Sequence, residues 1–256
     1  MNATLATLIR HALTGATLAV ATTVAAAQPG TKVESKARTV PLSAATMIIE
    51  YNSSAEDIGV QFFLDLSEGW RDIEIFDPSG REIFGAETEG RLTRQGGGTE
   101  LFLESVEPPI ADLPFEKFFR RFPEGTYRFR GHDPKGNRIT GEAEFTHDIP
   151  AGPEILLPRP APGAECAVGV PSRGAVVAWN PVTQSIDDEP LNIVRYEVIV
   201  ENDDLNFDVK YPAQTGTMLT VSLELLQPGT DYIGEVLAVE EGGNQTITEF
   251  CFRTAQ

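Results

Sequence analysis

The chain has 256 residues, 41% of them hydrophobic, with 38 Asp and Glu against 20 Lys and Arg and a formal net charge of −18. That size and polarity suit one or two domains with real cores and argue against a mostly disordered or membrane-embedded chain. The charge argues against nucleic acid as the main partner, because phosphate binding is driven by Lys and Arg displacing counterions. A content of 14 Phe and 18 Pro fits short strands and turns better than a helical bundle.

The N-terminus has no carboxylate before residue 28, places Arg10 and His11 ahead of a small and apolar run from Ala12, and closes on Ala25-Ala26-Ala27. A positive flank, an apolar run and an A-x-A ending predict a secretory signal over residues 1–27, cleaved before Gln28. The run is about 15 residues, short of the roughly 20 that span a bilayer; an uncleaved anchor is the alternative. Cleavage removes Arg10 and no acid, takes the net charge from −18 to −19, and leaves no integral membrane segment. The expected location is therefore periplasmic or secreted, an oxidising setting in which the two thiols, Cys166 and Cys251, usually close into a disulfide. Unbridged, both would read as buried apolar groups. Residues 28–38 read as a disordered mature terminus.

A first domain is expected over 39–149, as an immunoglobulin-like antiparallel β-sandwich with one short amphipathic helix. Val60, Phe62, Leu64 and Leu66 alternate with polar or opposite-facing residues, and Ile73 and Ile75 do so between Asp72 and Glu74. Such period-two patterns mark half-buried strands. Further strands are predicted at 46–51, 82–86, 100–105, 127–131 and 138–146, with turns at Asp77-Pro78-Ser79-Gly80 and Asp133-Pro134-Lys135-Gly136, where Pro presets φ and Gly accepts positive φ. Gly96-Gly97-Gly98 reads as a flexible hairpin tip. Phe115, Phe118, Phe119 and Phe122 recur at helical spacing, with Asp112 as the expected cap, Pro114 in the first turn and Pro123 as the stop. The four rings are expected to bury against the sandwich; an aromatic ligand platform is the sharper alternative.

Five prolines between Pro150 and Gly163 predict a semi-rigid linker over 150–163. Beyond it, 164–256 holds seven strand-like runs at even spacing, the pattern of a sandwich. Val177-Ala178-Trp179-Asn180-Pro181, Tyr196-Glu197-Val198, Leu226-Gln227-Pro228-Gly229-Thr230-Asp231-Tyr232 and the closing Phe252-Arg253-Thr254 resemble the fibronectin type III family. The resemblance covers about residues 160–256. It implies that Trp179, Tyr196 and Tyr232 are core residues, with the Tyr232 hydroxyl returned to backbone in a tyrosine corner. The cysteine pair departs from the family pattern; a Cys166–Cys251 bridge would clamp the first and last strands of the domain. The whole layout also looks like a group of exported bacterial proteins with no assigned role.

Chemistry is sparse. His132 and His147 lack zinc-helix spacing, and there is no G-x-S-x-G elbow or phosphate loop, so no enzyme is expected. No cofactor is expected except possible Ca²⁺. For that ion, Asp187, Asp188, Glu189, Glu240 and Glu241 lie on two loops that a type III topology brings to one end; solvated loop charge is the plain alternative. Asn52, Ser54, Glu56 and Asp57 only faintly resemble a calcium loop. Between Lys117 and Arg138 the chain is locally +5. Arg120, Arg121, Arg128, Arg130 and Arg138 are therefore a candidate anion patch, with ordinary surface arginines balanced by Glu142 and Glu144 as the alternative. The expected function is an acidic two-domain binding or adhesion module of the bacterial envelope, with a protein or glycan partner. A structural spacer or assembly subunit is the alternative, followed by an accessory protein of a carbohydrate-active hydrolase.

Overall fold

The computed structural model describes residues 38–222 and 224–256. The expected signal, and the mature terminus up to residue 37, lie outside the described residues. The first half of the chain forms β1 (Thr39–Pro41), β2 (Ala44–Asn52), β3 (Asp57–Trp70), β4 (Asp72–Phe76), β5 (Glu82–Glu87), helix α1 (Gly90–Gln95), β6 (Gly98–Glu104), helix α2 (Phe115–Arg121), β7 (Gly125–His132) and β8 (Arg138–Phe145). The second half forms β9 (Ile155–Leu157), β10 (Ala167–Val170), β11 (Val176–Trp179), β12 (Ile193–Asn202), β13 (Phe207–Gln214), β14 (Met218–Thr220), β15 (Asp231–Glu240) and β16 (Gln245–Thr254).

The fold is all-β, two sandwiches with separate hydrophobic cores. In the first, a sheet in the order β1-β8-β7-β4-β5 packs over β2, β3 and β6. Alternation drives this: Ile73, Ile75, Tyr127, Phe129 and Phe145 turn inward from one sheet, and Met47, Ile49, Val60, Phe62 and Leu64 from the other. Each large apolar side chain so buried contributes about 1.5–3 kcal/mol. The Asp77 and Asp133 carboxylates close their turns by accepting from the backbone N–H groups of Arg81, and of Lys135 and Asn137.

In the second sandwich, β14-β11-β9 faces β13-β12-β15-β16, with β10 added in parallel alongside β16. Trp179 and Tyr232 are almost wholly buried and Tyr196 is buried beside Trp179. Tyr232 Oη accepts from Gln227 N–H at 2.8 Å, and the Tyr196 hydroxyl likewise accepts from Val182 N–H at 2.8 Å.

The two sandwiches belong to one compact unit, Ala37–Gln256. Strand β16 pairs in parallel with β2, matching Gln245 to Glu50, Thr246 to Tyr51 and Ile247 to Asn52. One sheet therefore runs through both sandwiches in the order β13-β12-β15-β16-β2-β3-β6. A buried polar joint supports it. Asn244 Oδ1 accepts from Ile49 N–H, while Asn244 Nδ2 donates to the Thr146 and Asp148 carbonyls. Thr246 donates to the Pro150 carbonyl at 2.6 Å.

Four local expectations change. The stretch 150–163 is not only a linker: Ile155 and Leu157 pair with Trp179 and Ala178 of β11. The prolines fall outside this short edge strand, where a missing N–H costs no ladder bond. Asp112 does not cap α2; Pro114 occupies that position and no side chain caps it, while Asp112 sits in the preceding turn. All four phenylalanines pack against the first core, but only Phe118 is fully buried; Phe115, Phe119 and Phe122 are half-buried, Phe115 lying edge-on to Tyr51 and Phe119 stacking on His147. Gly97 and Gly98 follow α1 and serve close approach to Trp70. A Cβ on Gly97 would lie 2.0 Å from the Trp70 carbonyl oxygen.

Candidate functional site

The outer face of the five-stranded sheet carries the arginines of the central segment. Because Tyr127 and Phe129 point into the core, Arg128 and Arg130 point out. Pairing places Arg130 between Glu74 of β4 and Thr140 of β8, Arg128 between Phe76 and Glu142, and His132 between Asp72 and Arg138. Arg128 Nε stands 3.5 Å from Glu142 Oε1, and the Arg130 guanidinium lies 5.2 Å from the Phe76 ring centre, a cation–π arrangement. His132 Nδ1 bonds Asp72 Oδ1 at 2.9 Å, and Arg71 Nε donates to Asp72 Oδ2 at 2.8 Å. Burial opposes ionisation of Asp72, yet these bonds hold its carboxyl below the usual range.

Two hollows open on this face and meet at Arg130 and Thr140. One, of ≈ 350 Å³, is lined by Glu74, Arg130, His132, Arg138 and Thr140; the other, of ≈ 480 Å³, by Pro41, Arg128, Arg130, Thr140 and Glu142. Among the described residues, neither Arg130 nor Arg138 has an ion-pair partner, and the Thr140 hydroxyl makes no hydrogen bond. In each hollow two arginines face one glutamate, Arg130 and Arg138 with Glu74, and Arg128 and Arg130 with Glu142.

The five arginines singled out in the sequence do not form one patch. Arg120 and Arg121 ride on α2, where Arg120 pairs with Glu116 at 2.5 Å and Arg121 lines a separate hollow of ≈ 210 Å³ with Ser105 and Pro108. Sequence proximity joined them to the sheet arginines; the turn at residues 122–124 points the helix elsewhere.

The five acids expected to attract Ca²⁺ are engaged separately. Glu240 is buried and folds back on its own hairpin, accepting from Gly242 N–H at 2.5 Å and Asn244 N–H at 2.8 Å. Glu241 accepts from Asn192 Nδ2 at 3.1 Å. Asp187, Asp188 and Glu189 form a turn organised by Ser185 Oγ, which accepts from Asp187 and Glu189 N–H, with Asp188 at φ 64°. Asn52 Oδ1 is likewise occupied by the N–H groups of Ser54 and Ala55.

Strand pairing instead brings Glu50 to Glu104 and Glu107, acids more than fifty residues further along the chain. Glu50, Glu104 and Glu107 bring carboxylate oxygens within 4.8 Å of one another, the one such group among the described residues. Glu107 lies over Gly59, where a Cβ would approach its side chain to 2.7 Å. Burial pushes the Glu50 carboxyl up to about 8, against the Gln245 amide that favours its charge and with help from Glu104 and Glu107; burial, Glu104 and Asp57 push Glu107 up to about 7. Glu50 is hydrogen-bonded by Gln245 and by Glu104, so the trio reads as carboxyls sharing protons. A sequence signal existed only in Glu50 sharing the outward face with Thr46 and Ile48.

Cys166 and Cys251 are bonded, closing the position one residue before the Ala167–Phe252 pair of β10 and β16. The bridge walls a hollow of ≈ 470 Å³ lined by Glu165, Glu201, Asp203, Asp204 and Asp231. Among the described residues no helix is long and apolar enough to cross a membrane.

No protein family and no curated protein matches the chain in sequence. Among solved structures, it is similar to a myokine at 16% identity over 43% of this chain and 100% of that one, TM-score 0.29. It is similar to the chicken CNTN1 FN1–FN3 domains at 13% identity over 86% of this chain and 66% of that one, TM-score 0.31. The third is a tetra-tandem repeat in the extending region of a large adhesion protein, at 12% identity over 82% of this chain and 49% of that one, TM-score 0.27. The chain thus spans about half the length of the adhesion-repeat chain, and likeness at these scores carries no argument about function.

Proposed function

We propose that this protein is an exported, non-enzymatic binding or adhesion module of the bacterial envelope whose recognition surface is the arginine-lined outer face of the first sandwich. The ligand is an acidic glycan. The observation that carries the reading is that two guanidiniums without an ion-pair partner among the described residues, Arg130 and Arg138, share one open hollow with a Thr140 hydroxyl that none of those residues bonds, in a chain of net charge −18. Carboxylates are plentiful in this molecule, so cations left unpaired beside a hollow are available to an external anion. The Phe76 ring, 5.2 Å from the Arg130 guanidinium, restrains that side chain and reduces the entropy lost on binding. The second sandwich, whose motifs resemble fibronectin type III, then presents this face at a set distance and orientation.

The test is binding of the full chain to polygalacturonate and to neutral dextran across a salt series. Affinity for the acidic polymer alone, falling with salt and weakened at least tenfold in Arg130→Ala/Arg138→Ala, is expected. Equal affinity in that variant, or no affinity for the acidic polymer, rejects the reading.

A second reading, a rigid spacer, draws on the joint: a shared sheet and the buried Asn244 network favour two sandwiches held in one orientation. Asn244→Ala, which removes the side-chain bonds of the joint and leaves both cores in place, would then impair function in the source cell without changing affinity for the acidic polymer.

A further inference from the structure

The joint between the sandwiches contains a side chain that neither reading above requires. Glu50 lies in β2 at the register position where that strand meets β16, and it is only 7% exposed. Its carboxylate accepts from the Gln245 amide across the seam. The charged groups facing it are all acids. Glu104 comes from β6 and Glu107 from the loop after it; beyond them stand Asp57 of β3, adjacent to Glu107, and Glu249 of β16, adjacent to Asp57. The remaining neighbours are neutral: Gly59, opposite in β3, and Gln61, which donates to Glu104 at 2.8 Å. Among the described residues, neither Lys nor Arg acts on this carboxyl.

We infer that the two sandwiches are locked together by a proton: with Glu50 neutral the β2–β16 seam is closed, and loss of that proton opens it. A neutral Glu50 accepts from Gln245 and donates its own O–H to Glu104, so both sides of the seam are satisfied. An ionised Glu50 is a third negative charge beside the exposed Glu104 and the half-buried Glu107; its own carboxylate is largely shut off from water, and among the described residues no cation offsets it. Separation of β16 from β2 relieves this charge, and it breaks a ladder of only three residue pairs together with the Asn244 and Thr246 hydrogen bonds of the joint. Opening would expose Glu50 to water and return its carboxyl to the ordinary range. The raised value near 8 places the transition within a biologically accessible range. The closed form binds the proton more tightly than the open form, so the seam is firmest in acid and loosens as pH rises. An envelope protein so built would be rigid in acidified surroundings and hinged in alkaline ones.

The experiment is amide hydrogen exchange on the full chain between pH 5 and 9, corrected for the intrinsic pH dependence of exchange. The reporters are the Ile49 and Ser53 amides, which donate across the joint to Asn244 Oδ1 and the Ile247 carbonyl. The Phe129 and Val198 amides, within the separate cores, are the controls. The seam-opening constant should rise by up to about tenfold per pH unit and level off above about pH 8, with the controls unchanged. In Glu50→Gln, which mimics the neutral acid, the rise should vanish. Should that variant fail to fold, Glu107→Gln removes a repelling charge and should bring the plateau to lower pH. A pH-independent seam in the wild type, the same rise in Glu50→Gln, an unmoved plateau in Glu107→Gln, or core amides rising in step with the joint would each overturn the proposal.

Discussion

Removing the Cys166–Cys251 bridge tests how the second sandwich is held together. The bridge closes a loop with a sequence separation of 85, and the β10–β16 pairing begins at the next residue pair. Native packing around the two sulfurs is therefore set by neighbouring strands, and the main effect of reduction is to free the unfolded chain. Chain entropy for a loop of that length corresponds to about 4.6 kcal/mol at 25 °C. With a urea slope of about 2 kcal/mol per molar, Cys166→Ser/Cys251→Ser should lower the midpoint of the second sandwich by about 2 M. Trp179 is buried in that core and Trp70 in the other. Fluorescence in a Trp70→Phe background isolates the relevant transition, and a Trp179→Phe background follows the first sandwich. A loss below about 1 kcal/mol would refute the loop-entropy reasoning and imply that the unfolded chain keeps its ends together without the bridge.

Gly131→Ala should cost about 1–3 kcal/mol or more by chemical denaturation, because the new Cβ would meet the Asp72 carbonyl oxygen of the neighbouring strand at 1.9 Å; wild-type stability would contradict this. Tyr232→Phe, which strands the Gln227 N–H, should cost about 1–2 kcal/mol, more than Tyr127→Phe, which only deprives the Pro123 carbonyl of one donor. The reverse order of melting temperatures would count against that donor–acceptor argument. Stability should also peak in mild acid, near about pH 5. Burial, aided by neighbouring acids, raises Glu50 to about 8 and Glu107 and Glu235 to about 7, so their contribution is complete below the ordinary carboxyl range and lost as pH rises through 7 to 8. Asp72, Asp77, Asp133 and Glu197, held low by hydrogen bonds that outweigh burial, contribute above that range and lose it as pH falls. Melting temperatures from pH 3 to 9 with a maximum above pH 8 would refute the assignment.

Most strands were legible because side-chain alternation is a property of neighbours in the chain. Val60 to Leu66 and Asp72 to Phe76 announce which face is buried before any partner is known, and β3 and β4 follow them. The aspartate turns and the α2 phenylalanines are equally local. The strand β9 escaped notice because three residues among prolines show no period; its ladder with β11 alone makes it a strand. The central arginines could be placed on one face of β7, but their surroundings could not: Glu74 comes from 56 residues earlier in the chain than Arg130.

Local pattern by itself determined an acidic all-β chain with two cores, an outward arginine pair and two cysteines. Only the tertiary structure decided that one sheet runs through both sandwiches, that Arg130 and Arg138 share a hollow while Arg120 and Arg121 do not, and that Glu50 is buried among acids. The physical reason is that burial, charge pairing and proton affinity depend on which strands lie side by side. That pairing joins residues as distant as Glu50 and Gln245, for which no local signal in the chain exists.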